Sequence, residues 1–295
     1  MARERRTIVV VGSINMDLVV TADALPREGH TVLGVAYHTC CGGKGANQAI
    51  AAAHAGGRVH MVGCIGDDDY GRAAARSLTA AGVGVRAVRK VKDATGVALI
   101  VLDRQGRNLI AVAPNANQRT RVPRRAFDIV VTQLETPYAI PRARCFILNP
   151  APADRSILKA RGGRRPLAGV HVIIPNEHEA ALLTGEDDPA KAAAALRTLG
   201  AERAIVTLGE RGVHDTGGAD AREGRRPAFR IKPVDTVGAG DAFVGAFAAA
   251  LADGLDDPVR FAQAAAAIAC TRRGAQASPR RAEIERFLAR NKERP

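Results

Sequence analysis

Short β-branched runs alternate along this chain with alanine-rich stretches of helical length, and that alternation limits its possible folds more than any other feature. A strand, a helix and a second strand make the βαβ unit, which lays parallel strands side by side and covers them with helices. Strands are expected at 7–11 (TIVVV), 58–63, 129–132, 145–148, 170–174 and 203–207, and helices at 45–55, 69–81, 176–184, 189–199, 241–253, 257–271 and 281–291. The 295 residues suffice for one large domain with a substantial core. Two segments break the pattern. Residues 17–40 and 95–113 read as antiparallel hairpins, the second turning at Asp103-Arg104-Gln105-Gly106, and they could pair as a small separate sheet serving as a lid or a subunit interface.

Composition excludes several function classes. Apolar stretches such as 242–252 fall short of the roughly 18 residues that a membrane-spanning helix needs. Five cysteines, an odd number, show neither a disulfide framework nor a metal-binding spacing, and the apolar run Ile8 to Val11 is too short for a signal-peptide core. A reducing cytoplasm is therefore the expected home. The formal charge is 43 − 30 = +13, yet 36 of the 43 cations are Arg in an alanine-rich chain, a bias that codon usage explains more readily than a nucleic-acid surface. The excess is also local. Residues 119–165 hold eleven Arg or Lys against Asp128, Glu135 and Asp154, so +8 of the +13 lies in that stretch.

In an open α/β sheet, ligands bind beyond the carboxyl ends of the strands. Several expected strands run there into polar motifs: Gly12-Ser13-Ile14-Asn15-Met16-Asp17, Gln133-Leu134-Glu135, Asn149, Asn176-Glu177-His178-Glu179 and Leu208-Gly209-Glu210. The sharpest motif is Asp235-Thr236-Val237-Gly238-Ala239-Gly240-Asp241, opening an apolar helix. Small residues allow close backbone approach, and a helix start offers free N–H groups and partial positive charge, so the motif reads as an anion hole with a carboxylate beside it. Asp241 could take a proton from a hydroxyl, or it could merely favour the helix dipole while the glycines make a tight loop. Gly42-Gly43-Lys44-Gly45-Ala46-Asn47-Gln48 also opens a helix. It lacks the spacing of a Walker A loop and suits either hydrogen bonding to a polyhydroxyl ligand or a plain capped helix.

Nine segments occur in one order along nearly the whole chain: GSINMD, GGKGANQA, TGVALIV, QLETP, LNPAPA, PNEHEA, TLGERGV, DTVGAGDAF and TRRGAQAS. Together they resemble the ribokinases of the phosphofructokinase-B type family of sugar kinases. The resemblance implies an α/β ribokinase-like three-layer sandwich with a mainly parallel central sheet plus a small β-sheet lid, formed by residues 1–295 as a single catalytic domain with the lid segments inserted. It implies transfer of the γ-phosphoryl group of ATP to the 5-hydroxyl of D-ribose. On it, Asp241 is the catalytic base and Gly238, Ala239 and Gly240 supply the anion hole. Asn15, Asp17, Gly43, Lys44, Asn47 and Glu135 hold the sugar, and Asn176, Thr207, Gly209, Gly212, Gly240 and Gln263 serve ATP. Asn176 and Glu179 organise Mg²⁺ through water, although Asn176 and Glu179 also have the spacing of a helix capping box. K⁺, a monovalent activator, falls to Asp235, Val237, Ala269, Arg272, Gly274 and Ser278, and a homodimer forms through the lid. Other sugar or nucleoside kinases of the family, acting on deoxyribose, fructose or a ketodeoxy sugar acid, and a catalytically impaired sugar-binding relative are the alternatives.

The chain departs from the family between about 118 and 170. The stretch from Glu135-Thr136-Pro137 to Leu148-Asn149-Pro150 is too short for a full crossover helix with its loops, which needs about 10–12 residues. One or two helices that cover the sheet in relatives are expected to be missing or shortened, in the same stretch that carries the basic excess.

Overall fold

A computed structural model describes residues 6–159, 163–217 and 223–291. In chain order it forms β1 (Thr7–Val11), β2 (Asn15–Ala22), β3 (Gly34–Gly42), α1 (Lys44–His54), β4 (Arg58–Gly66), α2 (Asp69–Ala80), β5 (Gly84–Val91), β6 (Gly96–Leu102) and β7 (Asn108–Ala113). Then follow β8 (Phe127–Thr132), β9 (Ala143–Leu148), β10 (Val172–Ile173), α3 (Glu177–Thr184), α4 (Pro189–Thr198), β11 (Arg203–Thr207), β12 (Val213–Asp215), β13 (Gly224–Arg226), α5 (Ala239–Asp253), α6 (Pro258–Cys270) and α7 (Arg281–Arg290). The expected elements are all present within a few residues of their bounds. Strand 170–174 is regular only over Val172–Ile173, but pairing continues on both sides, with the His171 N–H donating to the Phe146 carbonyl at 3.1 Å and the Ile174 N–H to that of Leu148 at 2.8 Å.

Nine strands make the main sheet in the order β13-β12-β11-β10-β9-β8-β1-β4-β5, parallel from β11 to β5. The chain grows one way from β1 through β4 and β5 and the other way through β8 to β11, so β1 marks the switch point, where such sheets open a crevice at their carboxyl ends. Right-handed crossovers then place helices on opposite faces for the two halves. Ile8, Val10, Ile129 and Val131 pack under α1, α2, α5, α6 and α7, whereas Val9, Val11, Val130 and Phe146 pack with residues of α3 and α4. That second face is thin. β8 passes into parallel β9 through residues 133–142 with no helix, and the approach to β8 holds only a 3₁₀ turn at Asn115–Arg119. Loop side chains such as Leu134 and Val122 cover the sheet instead.

The two hairpins form a separate four-stranded sheet, β3-β2-β6-β7, as the alternating patterns predict. Both hairpins are antiparallel, and they meet through parallel pairing of β2 with β6. The lid is rooted in the core by Asn117, 1% exposed, whose side chain accepts from the Ile14 N–H (2.9 Å) and donates to Asn15 Oδ1 (2.7 Å).

Candidate active site

Helices α1 and α5 set the geometry. Both are rich in small residues, and they approach so closely that a Cβ on Gly245 would come 2.5 Å from the Gln48 carbonyl oxygen and 2.6 Å from the Ala51 Cβ. This contact brings the start of α1, which carries Lys44, Asn47 and Gln48, against the start of α5, which carries Asp241. Asn47 Nδ2 donates to Asp241 Oδ2 at 3.0 Å, and Gln48 Nε2 donates to Asp241 Oδ1 at 2.9 Å. Both carboxylate oxygens are therefore held by neighbouring residues of one helix. Gln48, fully buried, also donates to Asn149 Oδ1 at 2.8 Å and accepts from Gln133 Nε2 at 2.6 Å. Asp241 fixes the amide's direction, because a flipped Gln48 would point its oxygen at the carboxylate, and Gln133 donates to the oxygen so placed.

The turn before α5 is built for close approach. Gly238 caps the helix with φ 77°, a left-handed conformation, and a Cβ there would collide with the Ala275 carbonyl at 2.4 Å. At Gly240 a Cβ would meet nothing within 4 Å, so the backbone at that point borders open space. A cavity of about 210 Å³ lies here, lined by Gly238, Gly240, Asp241, Lys44, Asn176 and Glu179 among others.

Four carboxylates surround the one lysine. Burial pulls the Lys44 ammonium pKa down, but Asp241, Glu135, Glu179 and Asp17 outweigh it and leave the net shift upward. Burial, reinforced by Glu135 and Asp241 against Lys44, pushes Asp17 up to about 6. Asp241 is also raised, by burial first, while Lys44 and the amides of Gln48 and Asn47 act to keep it ionised. Glu135 accepts from the Ser13 hydroxyl and from the Lys44 N–H at 3.1 Å, which ties the end of β8 to the loop after β1. Asp17 and Asn15 arrive from the first residues of β2, Asn15 2% exposed and Asp17 9%.

The other expected residues divide into two groups. Asn176 and Glu179 form a reciprocal capping box on α3, with Asn176 Oδ1 accepting from the Glu179 N–H (2.8 Å) and Glu179 Oε2 accepting from the Asn176 N–H (2.9 Å). Glu179 Oε1 and the Asn176 Nδ2 are left over, and burial raises the Glu179 pKa. One free carboxylate oxygen in a cavity with Asp241 suits Mg²⁺ held largely through its own waters, since that ion sheds water reluctantly. Thr207 lines the same cavity. Gly209, Gly212 and Gln263 do not. Gln263 is 6% exposed and donates to the carbonyls of Arg226 (3.2 Å) and Pro227 (3.1 Å), with its own oxygen unpaired. Beside the turn before α5, Asp235 accepts from the Val237 and Gly274 N–H groups, both at 2.9 Å, and Arg272 donates an N–H to the Ala269 carbonyl at 3.0 Å and pairs with Glu283. Ser278 meets His54, whose Nδ1 lies 3.1 Å from both the Ser278 carbonyl oxygen and its hydroxyl.

Sequence reasoning did not single out Gln48, Gln133 or Asn117. Gln48 stood in a quoted motif beside Asn47, but nothing in the order of residues says that its amide faces Asp241 across a helix pair.

The profile of the pfkB family carbohydrate kinases matches residues 5–132 and 139–282, and the break between the two blocks falls in the helix-free crossover. A Bacillus subtilis ribokinase is 40% identical over 311 residues, covering 96% of this chain and all of that protein. A Salmonella typhi deoxyribokinase is 34% identical, covering 96% of this chain and 99% of its own. Among solved structures, a Thermotoga maritima ribokinase superposes with a TM-score of 0.82 at 33% identity over 96% of this chain and 99% of that one. An Arabidopsis thaliana ribokinase complexed with ribose and ATP gives 0.78 at 29% identity over 96% and 98%. The ribokinase-like architecture read from the motifs is thus the architecture observed. With the family profile spanning most of the chain and a relative at 40% identity along its length, the chain belongs to the pfkB family of carbohydrate kinases.

Proposed function

We propose that this chain phosphorylates D-ribose on its 5-hydroxyl with ATP, giving ribose 5-phosphate and ADP. The observation that carries the reading is the meeting of Asp241 with Lys44 and Asn47 at the start of α5, beside Asp17, Asn15 and Glu135. Carboxylates accept hydroxyl hydrogens while Lys and Asn donate, which suits vicinal hydroxyls. The nearly full-length likeness to ribokinases, one of them solved with ribose and ATP, supports the same substrates.

In this reading ribose lies against Asn15, Asp17, Gly43, Lys44, Asn47 and Glu135. Each Asp241 oxygen retains a lone pair beyond the amide bond it accepts, so the carboxylate can take the 5-hydroxyl proton as that oxygen attacks the γ-phosphorus. The bond from phosphorus to the departing ADP oxygen breaks in line, and the free N–H groups at the start of α5, with Lys44, stabilise charge on the transferring group. Asn176 and Glu179 would hold Mg²⁺ through water, and the ion would supply further charge neutralisation for the phosphates. Thr207, Gly209, Gly212 and Gln263 serve the nucleotide. K⁺ activation at Asp235, Val237, Ala269, Arg272, Gly274 and Ser278 acts on the turn before α5 without touching substrate.

The lid belongs to the same unit. Val112 pairs with Ala98, which pairs with Asp17, so Val112 shares Asp17's face and roofs the sugar end. Tyr37, 62% exposed, and Leu99, 54% exposed, lie on the opposite face, which suits a homodimer through the lid. No helix among the described residues is long and apolar enough to cross a membrane, in keeping with a cytoplasmic site of action.

A second reading, deoxyribose as the sugar, is favoured by the similarity to a deoxyribokinase at full length. A coupled ATP-consumption assay with ribose, 2-deoxyribose, fructose and adenosine, with and without K⁺, tests these assignments. Ribose should give the highest specificity constant. A higher value for 2-deoxyribose moves the assignment to the second reading, and one for fructose or adenosine overturns both.

A further inference from the structure

The basic segment of the sequence has a place in the fold. At the amino ends of β1, β4, β8 and β9 lies an open groove of about 710 Å³. Arg142 and Arg144 precede the carboxyl end of β9 by six and four residues, about 20 and 13 Å of strand, so the arginines stand at the end of the sheet opposite the carboxyl-end site. It occupies the face of the sheet on which a right-handed β8–β9 crossover would lay its helix, and residues 133–142 provide none. The floor is partly apolar, with Val9, Ala126, Phe127 and Ala143, and the cationic lining is Arg125, Arg142 and Arg144.

Charge in the groove is poorly balanced. Its one carboxylate, Asp128, accepts from the Thr7 N–H at 3.2 Å and stands 3.9 Å from Arg144, whose side chain is 83% exposed. Arg125 and Arg142 have no carboxylate within ion-pairing distance among the described residues, and the Arg125 guanidinium lies 4.9 Å from the Phe127 ring centroid. Two anionic occupants fit badly. Phosphate sites draw on helix starts or converging backbone N–H groups, and no helix begins among the lining residues. Single-stranded nucleic acid needs open aromatic faces, and of the two rings in the lining Phe127 stacks with Arg125 while His60 is half-buried against Gly84.

We propose that the groove is a docking surface for an acidic amphipathic helix of a partner protein. Such a helix would supply the layer that α3 and α4 supply over the adjoining strands, with its apolar stripe on Ala126, Ala143 and the edge of Phe127 and its carboxylates against the three arginines.

The test uses a fluorescein-labelled 18-residue peptide with Glu on one helical face and Leu and Ala on the other, a scrambled peptide of the same composition, inorganic pyrophosphate and polyuridylate. Fluorescence anisotropy is read on the full chain, on the Arg125→Ala, Arg142→Ala, Arg144→Ala triple variant, and on a charge-matched control with Arg86, Arg286 and Arg290 changed to Ala. The amphipathic peptide should bind at least tenfold more tightly than the scrambled one. The groove variant should lose that binding at least tenfold, and the control should stay within twofold, with thermal midpoints showing that both variants are folded. Absence of peptide binding, equal loss in the two variants, equal binding of the scrambled peptide, or displacement of the helix by stoichiometric pyrophosphate or polyuridylate would overturn the proposal.

Discussion

At the carboxyl ends of β1 and β8 the chain gathers Asp17, Glu135 and Asp241 around Lys44, with both Asp241 oxygens and one Glu135 oxygen held by hydrogen bonds. At the amino ends of the same strands it sets Arg125, Arg142 and Arg144 around an open groove, with one carboxylate among them. Both edges are strongly charged, but they differ in constraint. At the first, burial pushes up the pKa values of Asp17 and Asp241, and the amides of Asn47 and Gln48 fix the direction of the Asp241 carboxylate. At the second, exposed guanidiniums keep their solvent and their rotamers. Charge alone therefore says little about chemistry; desolvated charge held by fixed dipoles says much more.

The largest effect should come from Asp241. Its replacement by Asn keeps the shape and removes the proton acceptor, so kcat for ribose should fall roughly 10²-fold or more, the scale of a positioned base. Near-normal turnover in steady-state assays would take Asp241 out of that role.

Asp17 separates function from stability. Asp17→Asn should raise the KM for ribose at least tenfold, because an acceptor for hydroxyl hydrogens becomes part donor. The same change should stabilise the sugar-free protein. An acid whose pKa rises on folding, here to about 6 from 3.8, penalises the fold when ionised. The penalty is full above pH 6 and vanishes below the unfolded value. The variant's gain, on the order of 3 kcal/mol at pH 7.5 from the size of the shift, should therefore fade towards pH 4 in denaturant titrations. In the wild type, the KM for ribose should rise as pH drops through 6.

Gln48 sharpens the contrast between a partner that orients and one that merely sits nearby. Its N–H to Asp241 at 2.9 Å favours the ionised base. Gln48→Leu should lower kcat about tenfold and move the acid limb of the kcat profile to higher pH, a displacement that loss of packing alone would not produce. Gln133→Leu, which removes the donor to the Gln48 oxygen and loosens the amide's hold on Asp241, should shift the limb in the same direction by less.

Gln48 also marks the limit of what was legible in the sequence. The core strands and all seven helices could be read because β-branched runs and alanine-rich stretches differ in period, and the nine ordered segments located Asp17, Lys44, Asn47, Glu135 and Asp241. β5 was missed because GVRAVRKV lies at the sheet edge with Arg86, Arg89 and Lys90 exposed, so no apolar run announces it. Gln48, Gln133 and Asn117 were missed for another reason. A buried amide has no signature in sequence, and its partner is chosen by the close packing of α1 on α5 or by the return of the chain from the lid.

The smallest expected effect is the one that tests the comparison itself. Changing Arg125, Arg142 and Arg144 to Ala removes three charges from a chain of net +13. If the two sheet edges are independent, kcat/KM for ribose and for ATP should stay within twofold. The three arginines stand at the amino ends of β8 and β9, about 13 Å of strand or more from the carboxyl ends. That exceeds the Debye length of about 8 Å at physiological salt, so screened exposed charges should exert little field at the base. The assay is best run at both 20 mM and 150 mM salt. A change confined to low salt would mean that the arginines act as a diffuse field on anionic ATP. A change that persists at 150 mM would mean that the helix-free crossover transmits strain from the groove through β8 to Glu135, and the two edges would have to be treated as one site.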